Sequence, residues 1–67
     1  MIDYTIGTLI RNQVTKALFL IIDKRRQPKI HDEPLECYVL KSLSTGYVHY
    51  AIERIVDREY DLVSRAL

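Results

Sequence analysis

The 67-residue chain has no tryptophan, one cysteine, two glycines and two prolines. A single cysteine excludes an internal disulfide. Cys37 with His31 and His49 also lacks the spacing of a Cys/His zinc site. The longest unbroken apolar run, Ala17 to Ile22, is far short of the about 20 residues that cross a membrane. No basic segment leads into an apolar stretch with a small-residue cleavage site, so the expectation is a cytoplasmic protein with no signal peptide. Neither sign of charge dominates. Ten basic and nine acidic residues leave a net charge of +1, so no whole-molecule field steers the chain toward nucleic acid or a membrane. There is no Gly-rich phosphate loop, no G-x-S-x-G and no H-E-x-x-H.

What is present reads as one globular domain over residues 1–67. Hydrophobic residues make up 48% and charged residues 28%, which is neither disordered nor fibrous composition. A chain of this length buries only about 60% of the surface that its unfolded form exposes. Without a disulfide or a metal, the remaining routes to stability are a very efficient core or self-association.

Strand-forming segments follow one another. IGTLIR, residues 6–11, mixes Ile and Thr after a short start. Asn12, Gln13 and Thr15 interrupt it with polar residues. ALFLII, residues 17–22, is strand-length and apolar on both faces, so each face needs a cover. One cover is the core; the other is either the chain's own tail or a neighbouring subunit. On the alternation of side chains, Leu18, Leu20 and Ile22 are expected inside, which leaves Phe19 and Ile21 as the centre of a candidate oligomer interface. DKRRQPKIHDEPLE, residues 23–36, reads as a long charged connection. CYVLKSL (37–43) and YVHYAI (47–52) are strands joined by Ser44-Thr45-Gly46, where glycine supplies the positive φ that a tight reversal demands.

The tail supports two readings. Ile52, Ile55, Val56, Tyr60, Val63, Ala66 and Leu67 fall on one helical face, which favours an amphipathic helix from about Ala51 onward. Tyr60-Asp61-Leu62 also begins a strand-like alternation.

Gly7 to Arg11, Ser44-Thr45-Gly46-Tyr47-Val48 and Tyr60 to Ser64, in this order around an apolar second strand and a charged loop, resemble the SH3-like small β-barrels. That group includes short uncharacterised proteins encoded by bacteriophages, and the order is similar in outline to Sm-like barrels. The resemblance implies an all-β, five-stranded small barrel with a short helical turn around Glu53 to Asp57 and a last strand at about 60 to 64. Barrel closure protects sheet edges, and on that ground the all-β fold is the expectation.

Candidate chemistry is sparse. His49 beside Tyr47 has no acidic residue nearby on its strand face to orient it as a base. Cys37 inside a strand reads as a small buried hydrophobe. His31 with Asp32 and Glu33 reads as a solvated loop. No catalytic residue, cofactor or metal is assigned, and the expected function is a non-catalytic module that binds another protein or itself. The alternative is binding of RNA or single-stranded DNA through Lys24, Arg25, Arg26 and Lys29, four cations within six residues suited to phosphate contacts. Tyr38, Tyr47 and Tyr50 would then stack bases.

Overall fold

The structure is a computed structural model that describes residues 4–27 and 35–65. Five strands and one short helix follow one another: β1 (Leu9–Asn12), β2 (Leu18–Gln27), β3 (Leu35–Ser42), β4 (Val48–Ile52), α1 (Glu53–Glu59) and β5 (Tyr60–Ser64). They form one antiparallel sheet in the order β4-β3-β2-β1-β5. The fold is all-β with a helical turn before the last strand, as the resemblance implied. The expected barrel closure is not found: among the described residues the sheet is open, with β4 and β5 as its two edges, because neither pairs with the other.

Two hairpin turns of the same geometry set the register. In the first, the Lys16 N–H donates to the Asn12 carbonyl and the Asn12 N–H donates to the Ala17 carbonyl, both at 2.9 Å. In the second, the Gly46 N–H donates to the Ser42 carbonyl at 2.9 Å and the Ser42 N–H donates to the Tyr47 carbonyl at 2.8 Å. Each turn is stapled by its own polar side chains. Asn12 Oδ1 accepts from the Val14 and Thr15 N–H groups, while Ser42 Oγ accepts from the Thr45 N–H. Thr15 and Thr45 then accept from the N–H two residues on. These local bonds satisfy backbone donors that a reversal would otherwise leave unpaired. The fourth turn position has positive φ in both, 64° at Lys16 and 79° at Gly46. A third positive φ, 97° at Gly7, precedes β1, where the Gly7 N–H reaches the Ile21 carbonyl at 2.7 Å.

The core is Tyr4, Ile10, Ile21, Tyr38, Leu40, Val56 and Tyr60, with Phe19 and Ala51 packed against it. Strand alternation accounts for this set. Ile10 lies opposite Phe19 and Ile21 opposite Leu40, so these residues share the inner face. This inverts the expected facing of β2. Ile21 is 0% exposed, while Leu18 and Ile22 are exposed on the other side. Phe19 and Ile21 therefore belong to the core and not to an outward interface. ALFLII is apolar on both faces, and which face turns inward was decided by its partners on β1 and β3.

Residues 23–27 and 35–36 also correct the expectation of a long charged loop. β2 and β3 remain paired from Asp23↔Val39 out to Gln27↔Leu35, because ladder hydrogen bonds need extended backbone and not apolar side chains. A register shift between Ile21 and Asp23 leaves Ile22 as the extra residue of a bulge.

α1 is flanked by Ile52, an N-cap without a side-chain hydrogen bond, and by Tyr60, whose φ of −125° and ψ of 147° return the chain to extended form. Val56 points fully into the core. The helical periodicity of the tail is thus realised over a single short helix. From Tyr60 on, β1 captures the chain: Asn12↔Tyr60, Arg11↔Asp61, Ile10↔Leu62. No helix among the described residues is long and apolar enough to cross a membrane.

Candidate interaction surface

The expected site residues separate in space. Lys24, Arg25 and Arg26 lie on the paired part of β2, and Lys29 lies outside the described residues, as do His31, Asp32 and Glu33. Arg25 Nε sits 3.0 Å from Asp23 Oδ2, and Arg26 Nη2 sits 2.8 Å from Glu36 Oε1. Both pairs are exposed, so each contributes about 0–1 kcal/mol to stability; their effect is to compensate the local positive charge. Lys24 Nζ stands 5.6 Å from the centre of the Tyr38 ring. Alternation turns Lys24 and Arg26 to one side of the hairpin and Arg25 to the other, so the cations do not form a single stripe.

Of the three tyrosines considered for base stacking, Tyr38 is buried, and its hydroxyl accepts the Tyr4 N–H at 3.1 Å. Its ring meets Tyr4 edge-on, 5.8 Å between centres. Tyr47 and Tyr50 are open, 78% and 55% exposed. Burial pushes the Tyr4 phenol above its ordinary range; Asp57 and then Asp61 add to the rise, and Arg65 opposes it.

His49 lies on the inner face of the edge strand and stacks edge-on against Phe19 at 5.3 Å. Phe19 in turn meets Tyr60 at 5.6 Å. Ser42, opposite Phe19 on β3, is small enough for the phenyl ring to reach β4 over it. This aromatic row is packing, and the ring contact that orients His49 is to Phe19. Cys37 is buried, flanked in register by Arg25 and Ile52. Among the described residues no group of three or more His, Cys, Asp or Glu side chains is placed to hold a metal.

The feature that sequence reasoning missed is on the outer face. Val48 and Tyr50 on β4 are exposed. The register continues them across the sheet as Val48, Lys41, Leu20, Leu9 in one row and Tyr50, Val39, Asp23 in the next, with the exposed Ile22 at the bulge. Leu18 is exposed on the same face, opposite Arg11. Val39 on this face is buried, and Lys41 and Asp23 are charged, so the exposed apolar side chains form two groups, Val48 and Tyr50 on β4 and Leu18 and Ile22 on β2. The signal was the aromatic and branched content of YVHYAI, of which Tyr47, Val48 and Tyr50 all remain exposed.

The chain matches no protein-family model, no curated protein and no solved structure.

Proposed function

We propose that this chain is a non-catalytic interaction module of the SH3-like kind that associates with itself through its outer face. The observation that carries the reading is the exposed apolar side chains of the outer face: Val48 and Tyr50 stand half exposed beside a strand edge that has no partner among the described residues, and Leu18 and Ile22 are exposed on β2. Exposed apolar side chains gathered on one face of a small domain mark a contact site. A 67-residue chain with no disulfide also gains stability from burying it. The interface is formed by Leu18, Leu20, Ile22, Val48 and Tyr50, while Phe19 and Ile21 support it from beneath as core.

Sedimentation equilibrium over micromolar concentrations is the test. The expected mass exceeds 7.9 kDa and returns to that value on Tyr50→Glu, with an unchanged β-type circular dichroism spectrum. A wild-type mass of 7.9 kDa at every concentration refutes self-association.

A further inference from the structure

The two sheet edges are not equivalent. β5 carries the guards that natural edges use: a register irregularity opposite Leu9 and Ile10, the charged Asp61 bound by Gln13 Nε2 at 3.1 Å, and Arg65 just beyond its end. β4, with sequence VHYAI, carries no proline, lysine or carboxylate. Its ladder with β3 runs without a bulge from Cys37↔Ile52 to Lys41↔Val48.

The direction of its free backbone groups follows from the turn. The Ser42 N–H donates to the Tyr47 carbonyl, and pairs along an antiparallel ladder alternate between hydrogen-bonded and non-bonded. His49 therefore faces β3, while the backbone groups of Val48 and Tyr50 and the Ile52 N–H face away from it. Tyr50 is the middle of these three.

We propose that β4 docks on β4 of a second copy of this chain, antiparallel, about a twofold axis at Tyr50. The proposal rests on the self-association reading above and names its geometry. With the axis there, Tyr50 lies opposite the Tyr50 of the other copy, and Val48 opposite Ile52. The aromatic and branched side chains then meet across the junction on the outer face, the pairs that contribute most between strands. No like carboxylates or ammonium groups are opposed, which a strand paired with itself requires. The exposed Val48 and Tyr50 of the two outer faces are brought together, and both copies lose their unguarded edge. An isologous contact closes on itself as a dimer, whereas joining β4 to β5 would leave one edge free at each step and generate rings or filaments.

Nitroxide labels on Val48→Cys and, separately, Val63→Cys test this, since the native Cys37 is buried and stays unlabelled. In the proposed pairing the two copies of residue 48 are four residues apart along the junction. That is about 14 Å along the strands and about 5 Å across, or about 15 Å in all. The expected result is a mass of twice 7.9 kDa with dipolar broadening for the label at 48 and none for the label at 63. Broadening absent at 48 or present at 63, or a mass beyond the dimer, overturns this geometry and leaves self-association standing. A monomeric mass overturns both.

Discussion

The two hairpin turns are a natural experiment in backbone conformation. Asn12 to Ala17 and Ser42 to Tyr47 share hydrogen bonds and stapling, but one places Lys16 at φ 64° and the other Gly46 at φ 79°. An L-residue held in the left-handed region costs about 1–2 kcal/mol, and glycine loses about 0.5–1 kcal/mol more backbone entropy than alanine on folding. Lys16→Gly should therefore stabilise the domain by about 0.5–1 kcal/mol. For a chain of this size that raises the thermal midpoint by roughly 2–8 °C. Gly46→Ala should act in the opposite sense, by about 1 kcal/mol. A Cβ at Gly46 meets nothing within 4 Å, so that cost is conformational and not a clash. Urea unfolding followed by circular dichroism, at one fixed protein concentration, measures both, and the slope against denaturant should not change. If Lys16→Gly destabilises the fold, or Gly46→Ala leaves it unchanged, the turn argument is wrong.

Ile21→Ala empties a fully buried site and should cost about 2–5 kcal/mol, most of the stability a domain this small possesses. Leu18→Ala, on the outer face, should cost much less; equal losses in thermal unfolding would contradict the assigned facing of β2. Because burial raises the Tyr4 phenol, the folded state holds that proton longer than the unfolded chain does. Its contribution is complete below the ordinary tyrosine value of about 10 and is lost as pH rises through that value toward the folded one. Stability should fall over that alkaline window, and Tyr4→Phe should flatten the fall; an unaltered alkaline profile in the variant refutes the assignment.

What could be read from the residues differs from element to element. Ser44-Thr45-Gly46 announced its turn through glycine, while the equivalent turn at Gln13 to Lys16 was hidden because a lysine occupies the left-handed position. The alternation of β2 was legible, but its facing was not: Leu18, Phe19, Leu20, Ile21 and Ile22 are apolar throughout, and only pairing with Ile10 and Leu40 selects the inner set. The charged pairs from Asp23 to Gln27 read as loop because composition reports side chains, whereas the ladder there is held by backbone. In the tail, helical spacing was sound for Ile55 and Val56 and then gave way at Tyr60, where pairing with β1 outweighs local periodicity. The candidate interface moved for the same reason, from Phe19 and Ile21 to the opposite face of the same strand and to Val48 and Tyr50.

The central claim is that the outer edge of β4 is occupied in the associated protein, and amide hydrogen exchange reads that edge residue by residue. Exchange at Tyr50 and Ile52 should slow as protein concentration rises from micromolar to millimolar, while exchange across β5, Tyr60 to Ser64, stays constant. Rates at Tyr50 and Ile52 that do not depend on concentration would contradict the account.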